Sequence, residues 1–307
     1  MSKETSIEWS DSSLNLMMGC DGCELWNPAK GVKHCYAGTL TDRYAGHSTG
    51  YPAAFDKPKL FLERLKPALK WGDLAGKDRP DKPWLNGSPR AIFLNDMGDT
   101  FTESLPLDWL APLLPAMADS PHLWLLLTKR ARRMLQFTEK HPLPSNVWPG
   151  VSVTTQPTAR RIWDLLAIKS GGVKWISVEP LLGPVDASPF MFSTDGFVAT
   201  PDRGPVHRND GGVAISWAIV GGESGPGSRP CDLSWIRSIV EQCQESGVPC
   251  FVKQLGSRPV RIDEYDDVRG PATKRLILED KKGGTPSEWP EALRVRQFPV
   301  SPVEVKS

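Results

Sequence analysis

The chain has 307 residues, about two-fifths of them apolar and a quarter charged, with a formal net charge of +1. Such a length holds one large or two ordinary domains with a substantial core, and the near-zero charge excludes a global field drawing the protein onto nucleic acid or anionic membrane, leaving only a local basic surface open. No apolar run approaches the roughly eighteen residues that span a bilayer, and the polar start Met1-Ser2-Lys3-Glu4-Thr5 leads to no signal-peptide core, so a cytoplasmic protein without membrane partners is expected.

In chain order, a first strand is predicted at residues 14–18. Cys20, Cys23 and Cys35 follow within sixteen residues. From there one theme repeats: apolar, β-branched or aromatic runs at 91–94, 122–127, 147–153, 173–178, 215–220 and 249–252 each end in polar or glycine-rich residues. Continuous apolar runs suit strands buried on both faces, as in a parallel sheet. Helices are predicted between them at 108–118 and 131–140. Another is capped by Thr155 with Pro157 in its first turn and an Ile162, Leu165, Leu166 face, and a last runs from an Asp232 cap to Gly247. Residues 183–213, with Pro201-Asp202-Arg203-Gly204-Pro205, read as an excursion or mobile flap.

After Gly256 the chain becomes charged. Strands at 274–278 and 293–298 are expected there as a β-hairpin. The domain reading is a barrel domain over 1–256 and a small C-terminal appendage over 257–307. Seven β/α units predict an α/β fold, a full or partial (β/α) barrel of parallel strands, with a doubly wound open sheet as the alternative.

In such folds functional residues gather at the carboxyl ends of strands. Those ends carry Cys20, Asn95, Asp96, Asp99, Thr128, Lys129, Thr154, Glu179, Glu223, Lys253 and Gln254. Clustered thiols without a disulfide framework point to a metal or an iron–sulfur cluster, and soft sulfur excludes magnesium and calcium. A structural zinc wants four protein ligands, with His34 as the fourth here. A [4Fe–4S] cluster on three cysteines leaves one iron open to a small molecule, and the ligand count favours it.

Cys243 shares a helical stripe with Leu233, Ile236 and Val240, and Cys250 opens an apolar strand, so both read as core thiols. Cys231 lies in a loop without an assigned role. Gly221-Gly222-Glu223-Ser224-Gly225-Pro226-Gly227 would let backbone approach a ligand at Gly222, or simply turn the chain. Glu179 serves a ligand or pairs with Lys129 or Lys253. Lys253 suits a carboxylate or phosphate. The run Lys129-Arg130-Ala131-Arg132-Arg133, with Arg160-Arg161, reads as phosphate contact or as a solvated face. Most of the twelve tryptophans, Trp124, Trp175 and Trp217 among them, sit within strands as core.

The segment from Gly22-Cys23 to Cys35-Tyr36-Ala37, with Asn27-Pro28 between, resembles the cysteine motif of a phage-associated family of three-cysteine proteins, similar in turn to the radical S-adenosylmethionine (SAM) superfamily. The likeness continues through Leu127-Thr128-Lys129-Arg130, Pro149-Gly150-Val151-Ser152-Val153, Ser177-Val178-Glu179-Pro180, Ile219-Val220-Gly221-Gly222-Glu223-Ser224-Gly225, Phe251-Val252-Lys253-Gln254 and Glu288-Trp289-Pro290, covering nearly the whole chain. The superfamily separates its cysteines by three and then two residues. Here the separations are two and eleven.

The resemblance implies a barrel of radical SAM type and a [4Fe–4S] cluster on Cys20, Cys23 and Cys35. The open iron would chelate S-adenosyl-L-methionine, and one electron from an external donor would release a 5′-deoxyadenosyl radical. It also implies Tyr36 against the adenine, Asn95, Asp96 and Asp99 near the SAM amino group, and Glu179 at the ribose or the substrate, with Thr128, Lys129, Gly222, Glu223 and Lys253 completing the cofactor site. The expected function is a radical SAM enzyme acting on a nucleobase, nucleoside or nucleic acid, phage DNA hypermodification being one setting, with or without a partner protein. The alternatives are a zinc-stabilised nucleic-acid-binding or phage accessory protein, and a metal-free barrel using Glu179 and Lys253 for acid–base or Schiff-base chemistry.

Overall fold

The computed structural model describes residues 2–45, 47, 50–191, 197–200, 204–207, 214–262 and 273–299. Its centre is a seven-stranded parallel sheet: β1 (Ser12–Leu14), β2 (Ala91–Leu94), β3 (Leu123–Thr128), β4 (Val147–Ser152), β5 (Trp175–Val178), β6 (Trp217–Gly221) and β7 (Cys250–Gln254). The strands lie side by side in chain order. An order that never reverses has no topological switch point, which excludes the doubly wound alternative and leaves the winding of a partial β/α barrel. The sheet edges are covered. Ser2 bridges Ser13 of β1, and residues 295–297 run antiparallel along β7, with Val252 N to Val295 O at 2.8 Å and Gln297 N to Cys250 O at 2.9 Å.

By compactness the chain forms two units: Met1–Pro149 with Lys169–Val173 and Phe298–Ser307, and Gly150–Ile168 with Lys174–Gln297. In the first unit β1 pairs β2 from Ser12–Ile92 to Leu14–Leu94. Asp11 ties the strand starts together. Its carboxylate accepts from Ala91 N at 2.8 Å and pairs with buried Arg79 at 2.7 Å. Helix α1 (Tyr36–Tyr44) follows the cysteines, and α2 (Ala131–Lys140) buries Ala131, Met134 and Phe137, the i, i+3, i+6 face its sequence predicts. Residues 108–118 do not form one α-helix. A 3₁₀ segment, Leu107–Leu113, contains Pro112 and passes into a short α-turn, Leu114–Ala118, because proline supplies no N–H to the helical ladder.

In the second unit, Thr155 is the predicted cap and forms a capping box with Thr158 at the start of a 3₁₀ segment, Gln156–Arg160, after which α3 (Arg161–Ala167) buries Ile162, Leu165 and Leu166. Helix α4 (Leu233–Ser246) opens on Asp232, whose side chain accepts from Ser234 N, and closes on Gly247 at φ 67°. Cys243 and Cys250 are buried core thiols as expected, and Cys231 is buried too. Trp175 and Trp217 pack ring to ring at 5.4 Å, and Gly150 leaves the room the Trp175 indole fills.

Two expectations change. Residues 14–18 do not form one strand: β1 ends at Leu14, and Met17–Met18 pairs antiparallel with Lys59–Leu60. In the tail, Thr273–Arg275 pairs with Pro259–Ile262, while the segment expected to be its partner lines β7. Of the expected flap, Phe197–Thr200 pairs with Gly204–His207. Residues 192–196, 201–203 and 208–213 of that flap lie outside the described residues. No helix among the described residues is long and apolar enough to cross a membrane.

Candidate functional site

The cysteines belong wholly to the first unit. Met18, Cys20, Trp26, Ala37, Phe55, Phe61 and Met97 form one apolar cluster, with Cys35, Leu40 and Tyr51 packed against it. Burial of these rings fixes the cysteine segment, and Trp26 meets Phe55 edge-on at 5.3 Å. The eleven residues between Cys23 and Cys35 form a small hairpin, Trp26–Asn27 pairing with Val32–Lys33 around a turn closed by Gly31. The hairpin carries the chain back. Leu25 N–H donates to Cys23 Sγ at 3.4 Å, and the Leu25 carbonyl accepts from Cys35 N at 3.0 Å. One residue thus links the two cysteines, and the long spacing does not part them.

Each thiol has a distinct setting. Cys20 is buried, and burial pushes its thiol up to about 12, the Asp99 carboxylate adding to this while Arg130 opposes it. Cys35 caps α1. Burial raises its thiol as well, against the Gly38 and Ala37 amides of the helix start and the Lys129 cation, which lower it. The charge of Cys23 raises both neighbours, so it is the thiol within electrostatic reach of the other two. Among the described residues no three His, Cys, Asp or Glu side chains are grouped to hold a metal ion as they stand. The donor chemistry nonetheless suits a soft group: three thiols with a basic residue beside two of them, and His34 exposed.

The ends of β2 and β3 are built around this segment. Asn95, at φ 60°, turns its side chain back: Oδ1 accepts from Leu16 N at 2.8 Å and Met17 N at 3.1 Å, and Nδ2 donates to Thr100. Its amide therefore completes the strand edge where β1 has ended. Asp99 is saturated. Its carboxylate accepts from Phe101 N, Thr128 Oγ1 at 2.6 Å, Lys129 N at 2.9 Å and Arg130 Nη1 at 3.1 Å, which fills its lone-pair sites. Asp96 differs. Its Oδ1 accepts from Asn15 Nδ2 at 2.7 Å, and burial raises its carboxyl above the ordinary range against the Asn15 amide and its own backbone N–H, which lower it. The Tyr36 ring is 56% exposed, its hydroxyl donating to the Asp96 carbonyl.

The predicted basic run turns mostly inward. Arg130 bonds Asp99, Glu103 and the Gly22 carbonyl, and Arg133 donates to the carbonyls of Phe101 and Leu105. Sequence reading assigned Arg130 to a surface and had no role for Asn15. The available signal was position, since Arg130 follows a buried strand by two residues.

The remaining predicted residues lie in the second unit. Glu179 Oε1 pairs with Lys253 Nζ at 3.4 Å, which realises the salt-bridge alternative. Glu223 is 9% exposed and clasps Arg229 in a fork, 2.6 Å from Nη2 and 2.8 Å from Nε, closing the glycine-rich loop. A side chain at Gly222 would strike the Leu255 carbonyl, so chain packing itself requires that glycine.

A family model described as a protein of unknown function (DUF5131) matches residues 4–281. The chain belongs to the DUF5131 family. No curated protein matches it, and no solved structure does. The DUF5131 match contains the three clustered cysteines, the strand-end residues around them and the Glu179–Lys253 and Glu223–Arg229 pairs of the second unit.

Proposed function

We propose that this DUF5131 chain is a radical SAM enzyme whose Cys20, Cys23 and Cys35 hold a [4Fe–4S] cluster. The observation that carries the reading is the hairpin that returns Cys35 to Cys23 through Leu25, beside buried Cys20. Three thiols, with exposed His34 adjacent in sequence to Cys35 and so poorly placed to share one tetrahedral ion with it, suit a cluster with one open iron better than a closed zinc site. Cys20, Cys23 and Cys35 would hold the cluster, and the chemistry it would supply is passage of one electron from an external donor to S-adenosylmethionine, cleaving a carbon–sulfur bond into methionine and a 5′-deoxyadenosyl radical.

The chain's own residues bind and orient. Asp96 presents a half-buried carboxylate met by neutral donors, Asn15 and its own backbone N–H, suited to an ammonium group, and desolvation strengthens such a pairing. Tyr36, held by its hydroxyl and exposed on its ring, offers a face for the adenine. Asn95 and Asp99, with their polar atoms engaged, shape the site rather than touch the ligand. Glu179, Gly222, Glu223 and Lys253 keep a structural role in the second unit.

A nucleobase, nucleoside or nucleic acid remains the proposed substrate, phage DNA among them. What supports it is no longer the run at 129–133 but the exposed tyrosines Tyr36 and Tyr44 and the exposed cations Lys30, Lys33, Arg43, Lys57, Lys59 and Lys66 of the same stretch of chain. The test is anaerobic purification. A brown protein with absorbance near ~400 nm and about four irons per chain, releasing 5′-deoxyadenosine and methionine from SAM on reduction, is the expected result. Colourless protein with stoichiometric zinc would replace this reading with the zinc-stabilised one.

A further inference from the structure

We propose that Arg130 is a positioning residue that locks the turn between Cys20 and Cys23 to the end of β3, presetting two of the three ligands. The inference rests on the reading that these cysteines hold a metal cluster, and it concerns a residue that reading leaves without a task.

The two residues between Cys20 and Cys23 are each tied down by a different group. Asp21 Oδ2 accepts from Thr102 Oγ1 at 2.6 Å and Ser104 N at 2.8 Å. The Gly22 carbonyl accepts from Arg130 Nη2 at 2.8 Å. Gly22 itself sits at φ 100°, and a Cβ there would come within 2.5 Å of the Trp26 carbonyl, so only glycine gives this turn its shape. The turn is thus held by the tight packing of Gly22 on one side and by a guanidinium on the other.

The guanidinium is in turn fixed. Arg130 is 10% exposed, its Nε donating to Glu103 at 2.6 Å and its Nη1 to Asp99 at 3.1 Å. Asp99 is immobilised by Thr128 and Lys129 of the strand end, and the Arg130 backbone N–H donates to Thr128 Oγ1 at 2.9 Å. Three nitrogens of one planar group reach three acceptors in different directions. An ammonium on a flexible stem has no fork with which to do this, so lysine is not a substitute. The chain of contacts runs from the β3 terminus through Asp99 and Arg130 to Gly22, spanning 108 positions of sequence. A site whose ligands are held beforehand loses less freedom on binding.

The experiment uses the full chain with Arg130→Gln, Arg130→Lys and, as a surface control, Arg132→Gln. In metal-free protein, hydrogen exchange of the peptide over residues 20–26 should rise about tenfold or more in Arg130→Gln, the scale of a lost charge-assisted hydrogen bond. Exchange over Leu123–Thr128 should stay unchanged. After anaerobic reconstitution with iron and sulfide, a chelator should strip iron from Arg130→Gln about tenfold faster than from wild type, with Arg130→Lys rescuing little. Arg132→Gln should behave as wild type in both assays. Unchanged exchange over 20–26 overturns the proposal whatever the iron content, as does exchange that rises equally in β3. Raised exchange in the variant alongside a wild type that takes up no iron would instead sink the cluster reading while leaving the hold of Arg130 on the turn standing.

Discussion

The strand ends of the two units are equally rich in charge and differ in how they dispose of it. In the second unit the two strand-end carboxylates each have a cation: Glu223 with Arg229 and Glu179 with Lys253. In the first, Asp99 is likewise paired, with Arg130 at 3.1 Å, but partly buried Asp96 is met by the neutral amide of Asn15, and Lys129 and Arg130 lie beside Cys35 and Cys20. Charges neutralised at home stabilise a fold, whereas a partly buried carboxylate met only by neutral donors is suited to a cationic ligand. Polar residues at a strand end are therefore poor evidence of a site until their partners are known.

The largest effect that separates the units is in the thiols. Replacing Cys20, Cys23 or Cys35 singly with alanine should abolish iron binding, whereas Cys243→Ala, in the buried core of α4, should keep the iron and lose about 1 kcal/mol of stability. Iron per chain after anaerobic reconstitution and urea denaturation read the two effects. Retention of iron by all three single variants would erase the distinction between the units.

That distinction was only half legible in the sequence. Continuous apolar runs identify a strand buried on both faces, so six sheet strands and the capped helices were readable from residue type alone. Partners were not. Arg130 and Gly22 are 108 positions apart, and nothing local tells an arginine that will bond a distant carbonyl from one that will face solvent. Glu179 is an intermediate case: its strand-end position offered Lys129 or Lys253 as partners, and only the observed pairing chooses Lys253. The segment at 293–298 has strand character but found the edge of β7 rather than a hairpin mate, since β-propensity fixes an extended backbone and not its neighbour.

The next contrast is stability without function. Arg229→Met leaves Glu223, a 9% exposed carboxylate, without its fork and should cost about 1–3 kcal/mol in urea denaturation, the lower end reflecting the partly exposed arginine. Adding Glu223→Gln should recover much of that loss. Lys253→Met should cost less, about 1 kcal/mol, because the pair is longer, 3.4 Å against 2.6 Å, and is not a fork. All three should leave iron content untouched. If Lys253→Met instead removed SAM binding while stability held, the second unit would join the site and the comparison would fail.

The smallest effect is the most informative about Asp96. Burial raises its carboxyl above the ordinary value of 3.8, so the folded state holds the proton more tightly than the unfolded chain. Stability from this group is therefore fully present below the unfolded pKa and is lost as pH rises through the folded pKa, where the charged form must be accommodated in a partly buried place. Asp96→Asn keeps the Oδ1 that accepts from Asn15 and removes the charge. At neutral pH the ligand-free variant should melt slightly higher than wild type, and the two curves should converge as pH falls below ~4. In reconstituted protein the same substitution should weaken SAM binding, because the ammonium loses its anionic partner. A gain in stability with a loss of affinity marks a carboxylate kept for its ligand. A loss of both would mean that Asp96 holds the first unit together, as Glu223 holds the second.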